Sequence, residues 1–166
     1  MVTYDNSFNL NEWFILSVFA ASIALTVLLP RWKLPLILIF TVYGISVGMF
    51  FDHTISVVPF RFYDVNDNSH YELMDFISYI MYGPFSYFFV YFYKKLNING
   101  FQNIYYISLW SAYSMGLEFL GTKIGIYHYV NHYRLLFSLP VYVLTQTSLV
   151  IFYHLIMKEF KSLTNS

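Results

Sequence analysis

Five long apolar stretches, separated by short polar segments, constrain this chain more than any other feature. Each is close to the length of about 20 residues that an α-helix needs to cross the hydrocarbon core of a membrane. The chain is 58% hydrophobic and only 11% charged, whereas a typical globular domain has about 25% charged residues. The sequence therefore predicts an all-α integral membrane bundle, a single polytopic domain over residues 1–166 with five transmembrane helices at 13–29, 34–51, 76–93, 104–120 and 136–157.

Positive charge alternates between the segments that connect these helices. Three short segments that share one side of a five-span protein hold six of the nine basic residues, namely Arg31, Lys33, Lys94, Lys95, Lys158 and Lys161. The positive-inside rule then predicts that the N-terminus lies outside the cell membrane and that the C-terminus is cytoplasmic. The first 12 residues contain no basic residue, so the first helix is expected to be retained and not cleaved as part of a signal peptide.

Composition also excludes several classes of function. The chain has no cysteine, so it has neither a disulfide framework nor a thiolate metal site. Its formal net charge is +0, so no global field attracts nucleic acid. No serine hydrolase elbow, phosphate-binding loop or dinucleotide fingerprint is present. Membrane lipids are the expected surroundings, a lipid or another small hydrophobic ligand is the expected partner, and no particular cofactor is indicated.

Two further features bear on how the helices pack and what covers them. Gly44 and Gly48 have the small-xxx-small spacing that lets helices approach closely, either within the chain or between two copies in a homodimer. The segment 52–75 is long for so small a protein. It is predicted to be either a solvated loop or a cap over a site, because long loops in compact proteins are often functional. The many tyrosines near helix ends are expected at the membrane interface.

Glu118 stands out because it is an acid inside an apolar stretch. Ser111, Ser114, Glu118 and Thr122 follow one another at spacings of three and four residues, which places them on one helix face. The face is expected to point into the bundle, where a charged side chain avoids lipid. Glu118 then either serves a function or ties two helices together as a structural hydrogen-bonding group.

Other polar residues fall at the same, outer end of the predicted helices. The candidate binding pocket consists of His53, Asp75, Ser114, Glu118, His128 and His132. Glu118, His128 and His132 are the candidates for general acid and base catalysis. Two histidines four residues apart can share a metal ion on a helix, but the HExxH pattern is missing, so no metal site is predicted.

The residues Glu118, Gly121, Gly125, Tyr127 and Tyr129 form the pattern E-x-x-G-x-x-x-G-x-Y-x-Y. With the predicted five helices and the size of the chain, this pattern resembles an uncharacterised group of small multi-pass membrane proteins of Bacillus-like spore-forming bacteria. A looser resemblance, over about twenty residues, is to carotenoid-pathway membrane enzymes of the lycopene cyclase and hydratase kind. That second resemblance implies that Glu118 matches an intramembrane acid of those enzymes.

Two functions from different classes follow from these observations. One is a non-enzymatic membrane protein: a binder of a small ligand, a subunit or an envelope-associated component. The other is a membrane-embedded enzyme that acts on a lipid or isoprenoid from the outer leaflet and uses Glu118 and the outer histidines. A transporter is a third alternative, although five helices cannot form an equal inverted repeat.

Overall fold

The computed structural model describes residues 2–5, 7–29, 32–67 and 72–165, with side chains described as far as residue 162. It confirms the all-helical prediction. Arg31, one of the basic residues on which the predicted orientation depends, lies outside the described residues. The five helices are α1 (Leu10–Leu28), α2 (Leu34–Ile55), α3 (Leu73–Lys95), α4 (Gln102–Lys123) and α5 (Ser138–Asn165). Each contains or largely covers one of the predicted apolar stretches.

Two short strands, which the sequence did not predict, join the segments before α3 and after α4. Strand β1 (Tyr63–Val65) pairs antiparallel with β2 (Tyr127–Tyr129), and Asp64 lies opposite His128. The two strands are about 60 residues apart in sequence, so periodicity within either segment gives no sign of their pairing. We call this two-stranded sheet the cap, because it closes one end of the helix bundle.

Three helices are long and apolar enough to cross a membrane, within the part of the chain that the structure describes. They are Leu10–Leu28, Leu34–Ile55 and Leu135–Ser162, the last of which combines a short 3-10 turn with α5. Helices α3 and α4 have similar lengths but are less apolar, because tyrosines and serines recur along them. In α3, 12 of the 23 residues are buried, whereas in α1 only four of the 19 are. Helix α3 is therefore the central helix.

Glycines bring α2 and α3 into close contact within the chain. A Cβ atom on Gly44 would lie 2.5 Å from the backbone oxygen of Tyr82 and 2.6 Å from Cβ of Ser86. A Cβ on Gly48 would collide with the Tyr82 ring. Of the two alternatives for this glycine pair, the structure shows packing within the chain. In this structure α3 occupies the face of α2 that holds Gly44 and Gly48.

The two ends of the bundle differ in charge. At the end opposite the cap, the Lys33 ammonium lies 5.0 Å from the centre of the Phe160 ring, and the Lys94 ammonium lies 4.8 Å from Trp32. These contacts bring the α1–α2 connection, the end of α3 and the end of α5 together. The lysines that alternate along the sequence therefore share one end, and the cap with its acidic residues occupies the other.

Candidate functional site

A cavity of about 240 Å³ lies between the helices beneath the cap. All five helices and both strands contribute to its lining, which is mostly apolar. Phe14 and Ile15 come from α1, Phe51 from α2, Phe85 from α3 and Leu117 from α4. Because Tyr63, Val65 and Tyr127 of the cap also line it, the described part of segment 52–75 covers a cavity, as one of the two interpretations of this segment predicted.

Glu118 is buried at the upper wall of this cavity and accepts three hydrogen bonds. The hydroxyls of Tyr129 and Ser138 each donate to Oε1 at 2.7 Å, and the hydroxyl of Tyr142 donates to Oε2 at 2.8 Å. Ser138 and Tyr142 belong to α5, which confirms that Glu118 faces a neighbouring helix. The carboxyl group is thus oriented by hydroxyls from one helix and one strand.

The glycines and tyrosines that follow Glu118 explain how the chain turns back to it. Gly125 has a φ of +86°, a conformation that glycine adopts easily, and it leads directly into β2. A Cβ on Gly121 would lie 2.9 Å from the Tyr127 ring, so this glycine makes room for that side chain. Alternate residues of a strand point to the same face, which directs Tyr127 and Tyr129 towards the cavity and Glu118.

Asp52 is a second buried carboxylate in the same cavity. The Tyr63 hydroxyl donates a hydrogen bond to its Oδ1 atom. Burial, followed by the charge of Asp52, raises the pKa of Tyr63, so this hydroxyl keeps its proton. The sequence analysis proposed His53 and missed Asp52, although a signal was present: Gly44, Gly48 and Asp52 are four residues apart, so they share the packed face of α2.

Tyrosine hydroxyls extend the polar surface between the two carboxylates. The hydroxyls of Tyr82 and Tyr127 lie 3.2 Å apart, and Tyr82, Tyr127 and Tyr142 all line the cavity. These residues, with Tyr129 and Tyr133, are inside the protein and not simply at a membrane interface. The rings of Tyr127, Tyr129 and Tyr133 pack on other aromatic rings of the protein.

A second polar layer lies deeper in the bundle, between α4 and α5. The Ser111 hydroxyl donates to Oε1 of Gln146 at 2.9 Å, and Nε2 of Gln146 is 3.5 Å from the Ser114 hydroxyl. Ser111, Ser114 and Glu118 therefore share one inward face, as predicted. Thr122 does not join it, because its hydroxyl donates to the carbonyl of Phe119 in its own helix.

The structure separates the six residues of the predicted pocket. Ser114 and Glu118 line the cavity, but His53, Asp75, His128 and His132 do not. His128 points to the opposite face of β2 from Tyr127 and Tyr129, where its ring stacks on Tyr4 with centroids 3.7 Å apart. The expected gathering of the histidines around Glu118 is thus corrected, because strand alternation turns His128 away from it.

The other three residues of that set also have surroundings of their own. The ring of His53 is exposed and lies within hydrogen-bonding distance of the Met49 carbonyl in its own helix. Asp75 accepts a hydrogen bond of 2.6 Å from Asn66 and one from the backbone of Glu72, which fixes the end of the cap to the start of α3. His132 is exposed in the turn after β2. Among the described residues, no group of three His, Asp or Glu side chains could hold a metal ion.

The outer face of the cap carries its own charged cluster. Arg61 forms an ion pair with Asp64 at 2.8 Å, and the Tyr4 hydroxyl donates to the same carboxylate. Burial alone would raise the pKa of Asp64, but the hydrogen bonds from Arg61 and Tyr4 outweigh it and lower that pKa. Burial lowers the pKa of His128, against smaller opposing contributions that include Asp64. The neutral imidazole and the ionised carboxylate are therefore the forms that the folded cap stabilises.

The chemistry of the cavity follows from what lines it. The wall of the cavity is mostly apolar and carries two carboxylates and several tyrosine hydroxyls. Its described lining residues include no lysine, arginine or histidine. Such a site can hold an apolar molecule and orient it through a few polar groups. A scan against protein-family models matched no family, and searches of curated proteins and of solved structures found nothing similar to this chain.

Proposed function

We propose that this chain is a five-span protein of the cell membrane that binds a small, mostly apolar ligand in the cavity beneath the cap. The N-terminus lies outside and the C-terminus is cytoplasmic. The proposal has two parts, the membrane topology and the binding, and each has its own support and its own test.

The packing of α3 and α4 supports their crossing the membrane with the three more apolar helices. Helices of 23 and 22 residues extend about 33–35 Å, which exceeds the hydrocarbon thickness of about 30 Å. Helix α3 is enclosed by its neighbours, so its tyrosines avoid lipid. Helix α4 packs antiparallel on α3, where the Tyr106 hydroxyl donates to the Phe89 carbonyl at 2.6 Å. Its outer face exposes Ile104, Leu109 and Phe119.

The difference in charge between the two ends supports the orientation. Lys33, Lys94 and Lys95 lie at the end opposite the cap, and the positive-inside rule places that end in the cytoplasm. The chain has no cysteine, so single cysteines report topology directly. An impermeant maleimide applied to intact cells should label Arg134→Cys, beside the cap, and should label Lys94→Cys only after the membrane is opened. The reverse pattern would overturn the orientation, and labelling of both from outside would overturn the five-span arrangement.

The cavity itself carries the proposal of binding. Ligand sites in proteins are typically apolar concavities with a few convergent polar groups, and this one combines apolar walls from all five helices with Asp52 and Glu118. An engineered apolar cavity of about 150 Å³ binds benzene, so a cavity of about 240 Å³ accommodates a molecule with about ten non-hydrogen atoms. Its place near the cap gives access from the outer side of the membrane.

Filling the cavity tests whether it binds anything. Equilibrium dialysis of the purified protein in detergent, against empty micelles, measures saturable binding of 4-phenylbutanol and 4-phenylbutylamine, two molecules of about the expected size. Ser114→Phe places a ring in the cavity and should abolish saturable binding of both. Ser108→Phe makes the same change at an exposed position of the same helix and should leave binding intact. If neither molecule binds the wild type, or if both variants bind equally, the binding proposal fails.

An enzyme acting in this cavity would have to work without the histidines that the sequence suggested as catalytic groups. His128 and His132 do not line the cavity, so acid and base chemistry on a lipid or isoprenoid would depend on Glu118 with Asp52. Both carboxylates are held by tyrosine hydroxyls. This pairing is compatible with orienting a bound molecule, and binding is the function that the geometry supports best.

A further inference from the structure

We propose that the ligand of this cavity is a small organic cation, with an apolar body and an ammonium group held between Asp52 and Glu118. This inference rests on the proposed function, because it names the class of molecule that the same cavity binds. Four observations on the lining residues carry it, and they concern charge, unused acceptors, aromatic rings and one hydroxyl without a partner.

The first observation is the imbalance of charge. Asp52 and Glu118 are buried and line one cavity, and no basic side chain is found among its described lining residues. Arg61, the cation nearest in sequence to the inward-pointing Tyr63, pairs instead with Asp64 on the outer face of the cap. Buried carboxylates in proteins are generally paired with a cation or strongly hydrogen-bonded. Glu118 accepts three hydrogen bonds, whereas Asp52 accepts one, so a cationic ligand would above all complete the pairing of Asp52.

The second observation is that both carboxylates retain free acceptor capacity towards the cavity. A carboxylate offers about four lone-pair positions. Glu118 uses three, for Tyr129, Ser138 and Tyr142. Asp52 accepts a hydrogen bond from Tyr63 on Oδ1, and its Oδ2 accepts none from the residues that the structure describes. An ammonium group has three donors, so it can bond to acceptors of both carboxylates that line the cavity.

The third observation is the set of tyrosine rings around the carboxylates. Tyr63, Tyr82, Tyr127 and Tyr142 all line this part of the cavity. The rings of Tyr63 and Tyr127 meet edge to face, at 83° and 5.9 Å. The hydroxyls of Tyr63 and Tyr142 donate to the carboxylates, and those of Tyr82 and Tyr127 bond to each other. These hydrogen bonds hold the four rings in place. Aromatic rings attract cations electrostatically, and more strongly where water is excluded, so this wall favours an ammonium over a neutral group.

The fourth observation is Ser86, one helical turn after Tyr82 in α3. Its side chain is 7% exposed and lines the cavity, yet its hydroxyl makes no hydrogen bond to the described residues. Buried hydroxyl groups in proteins nearly always have a partner. Ser86 therefore points to a ligand that brings a hydrogen-bonding atom into the cavity, which is independent of the argument from the acids.

A matched pair of ligands tests the charge directly in the wild-type protein. At neutral pH 4-phenylbutylamine is a cation, whereas 4-phenylbutanol has nearly the same shape and is neutral. At matched free concentration the amine should bind at least about tenfold more tightly. Asp52→Asn and Glu118→Gln, which keep a hydrogen-bond acceptor at each position, should each remove most of this preference, measured as the ratio of the two dissociation constants in the same variant. Asp64→Asn, on the outer face of the cap, should keep the preference.

The outcomes separate this inference from the proposed function. If the alcohol binds as tightly as the amine, and Ser114→Phe abolishes both, the cavity is a ligand site but the ligand is not a cation. If neither molecule binds, the proposed function and the inference both fail. A preference for the amine that survives both carboxylate substitutions would overturn the assignment of Asp52 and Glu118. The comparison in the wild type decides the charge even if the variants yield little folded protein.

Discussion

Replacing Gly44 with alanine adds one methyl group at the closest contact between α2 and α3. That methyl would lie 2.5 Å from the backbone oxygen of Tyr82 and 2.6 Å from Cβ of Ser86. An ordinary contact needs about 3.5 Å, so the two helices must separate by about 1 Å. Neither neighbouring atom is the end of a flexible side chain, so the strain cannot be relieved by a change of rotamer.

The expected cost follows from two opposing contributions. Overpacking of a well-packed interior costs about 1–3 kcal/mol, and the contact distances place this case towards the upper end. Alanine gains about 1 kcal/mol over glycine inside a helix. Gly44→Ala should therefore lower the free energy of unfolding by about 2 kcal/mol. The matched control is Gly116→Ala in α4, where an added Cβ meets nothing within 4 Å, and it should be neutral or stabilising by up to about 1 kcal/mol.

Reversible unfolding in mixed detergent micelles, followed by circular dichroism, measures both free energies on the same scale. The two variants should differ by about 2–3 kcal/mol. Equal stability would refute the close contact between α2 and α3. Stability of Gly44→Ala that changes with protein concentration, where that of the wild type does not, would contradict the assignment of this glycine face to packing within the chain.

Three further predictions concern the cap. Tyr129→Phe removes one of the three donors to Glu118 and should cost about 1 kcal/mol of unfolding free energy, whereas Tyr105→Phe, which is exposed, should cost nearly nothing. Because the folded cap lowers the pKa of His128, the stability from its neutral ring is present above the ordinary pKa of about 6.5 and is lost as the pH falls towards the folded value. His128→Phe should therefore flatten the fall of melting temperature as the pH drops below about 6.5, and an unchanged slope would contradict it. The pKa of Asp64 is also lowered, so Asp64→Asn should flatten only the loss below about pH 4.

The sequence predicted the helices well because apolar length and helical spacing are local signals. The stripe of Ser111, Ser114 and Glu118 also predicted correctly which face of α4 points inward, since residues three and four apart must share a face. The same rule applied to Gly44 and Gly48 would have placed Asp52, and not His53, inside the protein. The type of side chain at the end of α2 favours His53, whereas the phase along the helix identifies Asp52.

The histidines could not be placed in this way, because their position depends on a strand. Segment 121–134 lies close to Glu118, as the sequence predicts. A helix and a strand, however, direct the side chains of neighbouring residues differently. As a strand, it sends Tyr127 and Tyr129 inward and His128 outward. The strand forms only because Tyr63–Val65 pairs with it, and that partner is remote in sequence. Long-range pairing of three-residue strands leaves no local pattern from which to predict it.

The hydropathy of the helices and the location of the cavity are connected. Neither α3 nor α4 contains a stretch as apolar as those of the other three helices, because tyrosines and serines recur along them. The same two helices supply Tyr82, Ser86, Ser114 and Glu118 to the cavity. A helix that presents hydroxyls and a carboxylate to a buried site must be shielded from lipid, because unpaired polar groups are costly there. Helices α1, α2 and α5 all pack on α3, and α5 packs on the polar face of α4, so low hydropathy in a central helix of such a bundle indicates where its binding chemistry lies.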